Sequence, residues 1–219
     1  MTIDLTTEAI SKLSPRELIS TLQQVDPGDP ALKDVDIDVI ARGIDPKKLG
    51  QDEFADLLAA LGVLADGGAD LDLAKMDAQN FARIISRASK EQVEAVTSRP
   101  GLRERVLDEV FRRMEVHFRT DRAGATRAVV HFRLTGGASG SASGSEDVYE
   151  AVVEDATCKI NKGETRDARA TVTLGPVEFL KLATGNASAP VLFMTGKLKV
   201  KGDLGFAAGF MTLFDIPKA

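Results

Sequence analysis

The chain has 219 residues, 43% of them apolar and 28% charged, an ordinary globular balance with length for one large or two small domains. A net charge of −5 argues against nucleic acid as a partner, and a single cysteine, Cys158, excludes an internal disulfide framework. No run of about 18 apolar residues offers a membrane span, and the opening "MTIDLTTEAISKL" lacks the basic start of a secretory leader, so a cytoplasmic protein is expected.

Charge divides the chain. Residues 1–105 hold 13 basic against 19 acidic side chains, net −6, while 106–219 are close to neutral at +1. In the acidic part, "SPRELISTLQQV" opens with Ser14 as N-cap, Pro15 at the first helical position and Glu17 closing a capping box, and Leu18, Leu22 and Val25 share a face. "DPGDP" at 26–30 interrupts, and "ALKDVDIDVIARG" reads as one helix ending at Gly43. Segments 44–61 and 71–88 then align without gaps at an offset of 27, matching Asp45 to Asp72, Lys48 to Lys75 and Phe54 to Phe81. Either stacked repeat units or two amphipathic helices of convergent pattern produce that echo. Both readings make this half helical throughout.

The period changes after Arg127. "RAVVHFRLTG", "VYEAVVEDATCKI" and "ARATVTLG" read as three strands, "GPVEFLKLATG" as a helix closed by Gly185, and "GKLKVKGD" as a strand. In that last strand Leu198 and Val200 oppose Lys197, Lys199 and Lys201. The stretch Leu204–Phe214 follows an N-cap at Asp203 and is interrupted only by Gly205, Gly209 and Thr212. So little polar surface predicts a helix covered on more than one side, by another layer or by a lipid. The element order suggests an α+β layer with a mainly antiparallel sheet.

Motifs for catalysis are missing. The run "GGASGSASGS" (136–145) lacks the lysine and hydroxyl of a phosphate loop and reads as a hairpin connection. Gly196-Lys197 is followed by leucine inside a strand. His117, His131 and Cys158 do not stand at metal-ligand spacing, and no Gly-x-Ser-x-Gly elbow occurs. No catalytic residue, metal site or cofactor is assigned, and an enzyme is not expected. The five arginines of "RRMEVHFRTDRAGATR" read as a solvated face, with attraction to an acidic headgroup or acyl carboxylate as the alternative.

Residues 103–219 together resemble the sterol carrier protein 2 (SCP-2) lipid-transfer domain. The resemblance rests on an opening helix "VLDEVFRRMEVHF", the strand "RAVVHFRLTG", a second hairpin strand "VYEAVVEDATCKINKGE" and the run "ARATVTLGPVEFLKLATGNASAPVLFMTGKLKVKGDLGFAAGFMTLF". It departs from that family in its long Gly/Ser loop and in Tyr149, where an indole ring is common. The resemblance implies a five-stranded, mainly antiparallel sheet flanked by helices around an apolar tunnel for a sterol, fatty acid or acyl chain. Residues 1–102 would form a separate all-helical domain and 103–219 the lipid-binding domain. The side chains expected to line the tunnel are Phe132, Phe179, Leu182, Phe193, Met194, Phe206, Phe210, Met211 and Phe214. Arg119 or Arg133 would stand at its mouth. The competing expectation is a filled core beside a helical half that recruits a protein partner or self-associates.

Overall fold

The computed structural model describes residues 7–69, 71–136 and 146–215. The Gly/Ser run expected to join two strands therefore lies, from residue 137 to 145, outside the described residues. The chain forms two compact units, one to Arg103 and one from Glu104 onward.

The first unit contains six helices among its described residues: α1 (Thr7–Lys12), α2 (Pro15–Gln24), α3 (Ile37–Gly43), α4 (Gln51–Asp66), α5 (Ala78–Arg87) and α6 (Lys90–Thr97). The α2 capping box forms as the sequence specifies, with the Glu17 N–H donating to Ser14 and the Ser14 N–H donating to Glu17. The segment expected as one helix before Gly43 is instead two pieces, a 3-10 turn at Pro30–Asp34 and then α3. Asp36 divides them, because its carboxylate accepts the Asp38 N–H at 2.8 Å and so starts a new helix.

The offset of 27 has a counterpart in the backbone. The 3-10 turn Pro46–Lys48 precedes α4 at Gln51, and the 3-10 turn Leu73–Lys75 precedes α5 at Ala78. Asp45 and Asp72 each accept an N–H two residues on, at 3.3 and 2.9 Å. Asp29 does the same for Ala31 ahead of α3, a third occurrence that the sequence alignment missed. Between elements, the Arg83 guanidinium donates to the last carbonyls of α3, Ala41 and Ile44. The buried Gln92 amide donates to the carbonyls of Pro46 and Leu49 at 2.7 and 2.8 Å. Phe54, Leu57, Leu61, Ile40 and Leu22 fill the centre.

The second unit holds a five-stranded mixed sheet. Its elements are α7 (Pro100–Val116, entering the unit at Glu104), α8 (Thr120–Ala123), β1 (Ala128–Leu134), β2 (Asp147–Glu154), β3 (Thr157–Lys162), β4 (Ala170–Leu174), α9 (Pro176–Ala183), α10 (Ala189–Met194), β5 (Leu198–Gly202) and α11 (Leu204–Phe210). The strand order is β3-β2-β1-β4-β5, with β1 and β4 parallel and the other three pairs antiparallel. The segment "VYEAVVEDATCKI", expected as one strand, is a hairpin. Asp155 and Ala156 form its turn with φ of 50° and 56°, the left-handed pair that a tight hairpin needs, without the Asn-Gly that usually announces it.

Alternation gives the sheet two different faces. Val130, Phe132 and Leu134 of β1, with Ala170, Val172 and Leu174 of β4, are buried on one face. Phe111 of α7 lies on that face between two rings, stacked at 4.0 Å from Tyr149 and 4.6 Å from Phe179, with Phe132 edge-on at 5.5 Å. Tyr149 keeps its hydroxyl satisfied by donating to Asp108 at 2.8 Å.

The opposite face carries Glu150, fully buried and opposite His131. Burial alone would raise its pKa. The Thr165 hydroxyl, the N–H groups of Thr165 and Arg166 and the Asn161 amide all donate to the carboxylate, outweigh that effect and hold it at about 2. These bonds anchor the 163–169 connection that brings the chain back to β4 beside β1.

Two consequences are measurable. Because Glu150 is depressed below the ordinary carboxylate value of about 4.3, its stabilisation is complete above that pH and fades as pH falls toward 2. Urea midpoints measured across that window should fall with acid, and Glu150→Gln should be less stable at pH 7 with a flatter acid limb. Phe111→Ala should cost about 3–5 kcal/mol in the same assay, since three ring contacts are lost at once.

Candidate functional site

Beyond the aromatic cluster, the same sheet face supports a cavity of about 230 Å³. Its floor is Phe132 of β1 and Val172 of β4, with Leu198 and Val200 of β5 beside them. Leu182 of α9 and Phe210 of α11 close the deep end. The roof is α10, through Ala189, Pro190, Phe193 and Met194, together with Leu204, Ala207, Ala208 and Met211 from α11 and the 3-10 turn that follows it. Every one of these side chains is apolar.

The chain places the roof through a few local devices. Gly202 ends β5 at φ +93°, where a Cβ would stand 2.5 Å from the Arg169 carbonyl, so only glycine lets the two backbones come this close. Asp203 then accepts the Phe206 N–H at 2.8 Å and starts α11, while its other oxygen receives Arg169 at 2.8–2.9 Å. At the far end Phe118 bridges Phe214, and the Arg119 N–H donates to the Leu213 carbonyl at 2.7 Å.

Of the nine side chains expected around a tunnel, Phe132, Leu182, Phe193, Met194, Phe210 and Met211 line the cavity. The other three have different surroundings. Phe179 is fully buried in the Phe111 stack, Phe206 lies under the Arg169 guanidinium at 4.2 Å, and Phe214 packs edge-on with Phe118 and Phe210. Neither arginine considered for the mouth is among the lining residues. Arg119 pairs with Asp121, and Arg133 points to the opposite sheet face, where it meets Glu146 and Glu164.

Two features escaped the sequence reading. Helix α10 lies in the stretch between Gly185 and Gly196 to which the sequence assigns no element, though Ser188-Ala189-Pro190 is an acceptable helix start. The small lining residues Ala189, Ala207 and Ala208 carry no signal of their own. Protein covers the last helix on one side. Ala207 and Phe210 are buried, whereas Leu204, Gly205, Ala208 and Gly209 face solvent. Small side chains give that outer side little apolar area, which is why it tolerates water.

Chemistry is sparse. Among the described residues no group of three or more His, Cys, Asp and Glu side chains is arranged to hold a metal ion. Cys158 is buried, and burial first, with the Glu115 charge second, pushes its thiol up to about 12. Four of the five arginines between Arg112 and Arg127 are in ion pairs, with Glu109, Asp121 and Asp155. Among the described residues no helix is long and apolar enough to cross a membrane.

The second unit thus combines a five-stranded mixed sheet with an apolar cavity beneath two short helices. Residues 110–215, nearly the whole C-terminal unit, match the model of the SCP-2 sterol transfer family. The chain is 26% identical over 136 residues to hydroxysteroid dehydrogenase-like protein 2 of Xenopus tropicalis, covering 62% of this chain and 30% of that protein. It is 50% identical over 50 residues to a fatty acid-binding protein of Yarrowia lipolytica, covering 23% of this chain and 39% of that one. The chain thus spans about a third of the length of these curated relatives. The solved apo structure of sterol carrier protein 2 from Yarrowia lipolytica is 26% identical, with a TM-score of 0.37 over 48% of this chain and 86% of that one.

The buried thiol has a measurable consequence. Native protein at pH 8 should react with a thiol reagent far more slowly than urea-unfolded protein, because almost none of Cys158 is thiolate at that pH.

Proposed function

We propose that the C-terminal domain, residues 103–219, binds and carries a fatty acid, fatty acyl chain or sterol-like molecule without catalysing a reaction on it. The observation that carries this reading is the wholly apolar cavity between the sheet and the α10–α11 roof. A filled core, the competing expectation, would leave no such space. The match to the SCP-2 family model and the similarity to a fatty acid-binding protein support the same reading. No polar side chain lines the cavity, so selection is by size and shape, and the ligand's polar end stays at the mouth. At about 230 Å³ the space is below the roughly 300–1,000 Å³ usual for ligand pockets, so a long chain enters by displacing the short roof helices. The single buried cysteine is in keeping with a reducing compartment, and we place the protein in the cytoplasm.

Burial of each methylene is worth about 0.8 kcal/mol, roughly a fourfold gain in affinity. A series of saturated fatty acids should therefore bind more tightly with each added carbon until the cavity is full. Ala207→Phe should cut binding of the longer members by about tenfold or more while sparing the fold. An affinity that does not change along the series would overturn the proposal.

A second role is favoured by one observation. Residues 1–102 stand outside the family match and repeat a 3-10 turn and helix at a fixed offset, a construction suited to presenting helical faces. We assign them to protein recruitment or self-association. Removal of residues 1–101 should abolish any self-association seen by analytical ultracentrifugation and leave fatty-acid affinity within about twofold. Unchanged self-association would place the interface in the other domain.

A further inference from the structure

We infer that Met194 is a modification site, where oxidation of the sulfur by hydrogen peroxide weakens lipid binding and leaves the fold intact. The inference rests on the lipid reading of the cavity. Among the described residues five side chains carry sulfur, and four of them are shielded. Met76 and Met114 are core residues, each 4% exposed, and Cys158 is 7% exposed. Met211, in the 3-10 turn after α11, is partly buried. Met194, the last residue of α10, is 85% exposed. It also lines the cavity, so it stands at the rim, open to water and to a bound chain alike.

The reaction needs only the thioether and the peroxide. A sulfur lone pair attacks one peroxide oxygen and the O–O bond breaks. The departing hydroxide takes the proton of the transferred oxygen and leaves as water. Sulfur gives up two electrons to become a sulfoxide, and the peroxide is reduced. Cys158 does not compete, because it is buried and its thiol, pushed up to about 12, is hardly thiolate at neutral pH. The effect at Met194 is local. A sulfoxide is polar and keeps its hydration, which this exposed position supplies with no change in packing. No polar side chain lines the cavity, so the S=O group finds no partner there. A bound chain must then strip its water or forgo the contact, and either weakens binding. The same oxygen on Met114 would disrupt a core instead.

The full chain is treated with limiting hydrogen peroxide, and the added oxygen is located by peptide mass spectrometry. Affinity for a fluorescent fatty acid and the thermal midpoint are measured on the same samples. Met194 should gain oxygen before Met211, and well before Met76 and Met114. Affinity should then fall by about fourfold or more, the equivalent of one lost methylene contact, with the midpoint unmoved. A methionine sulfoxide reductase with a thiol reductant should restore it. Met194→Leu, compared with its own untreated form, should show no loss on treatment, whereas Met211→Leu should still show one. Oxygen on Met211 first, or an affinity unchanged once Met194 is oxidised, would overturn the proposal and leave the lipid reading standing. So would a loss that persists in Met194→Leu, or one that comes with a lowered thermal midpoint. Untreated protein that binds no fatty acid removes the lipid reading and the proposal together.

Discussion

The ring stack centred on Phe111 sets the geometry of the whole second unit. Sandwiched between Tyr149 and Phe179, it ties α7 to the middle of the sheet and to α9 through contacts between flat faces, which fix both distance and tilt. Everything on that side of the sheet is then divided into a filled end and an unfilled one. Phe132 stands at the boundary, with one side against the stack and the other forming cavity floor. The empty space follows from how the neighbouring elements are built. Rigid aromatic volume supports the sheet from one end, so the other end can be roofed by two short helices without collapse.

The reverse face solves a different problem. A parallel β1–β4 pair requires the chain to leave β1, build a hairpin and return, and the return segment must be held down across the sheet. Glu150 does this with charge-assisted hydrogen bonds rather than apolar area. A carboxylate at a buried position is costly without donors, and here three of the four come from the very segment being anchored, two of them backbone N–H groups. The first unit uses the same economy of means. Short aspartates end one turn and begin the next, so that brief helices join with few connecting residues.

Much of this was legible from residues alone. The Ser14 capping box, the Pro176 helix start and the Leu198–Val200 alternation depend on local rules that tertiary contacts did not disturb. The family resemblance supplied the fifth strand that direct reading lost. That loss has a physical cause, since Asp155 and Ala156 take left-handed φ values held by the hairpin around them rather than by their own preference. Helix α10 was hidden because six residues are too few to show a period. Six of the nine side chains chosen for size and hydrophobicity line the cavity, but alanines there are recognisable only once the backbone is in place. Phe206 illustrates the limit. Its side chain suits the interior, yet it lies under the Arg169 guanidinium and beside Phe210, outside the cavity lining.

The roof helices are short, six residues in α10 and seven in α11. A helix of that length has only two or three internal backbone hydrogen bonds and cannot persist without its tertiary contacts. The sheet below is knitted by ladders along all five strands. Local opening is therefore concentrated in one place, and the roof can fray and re-form many times for each global unfolding event. On the proposed carrier reading, the rate at which cargo exchanges is then a property of two turns of backbone, separable from the equilibrium stability of the domain that holds it.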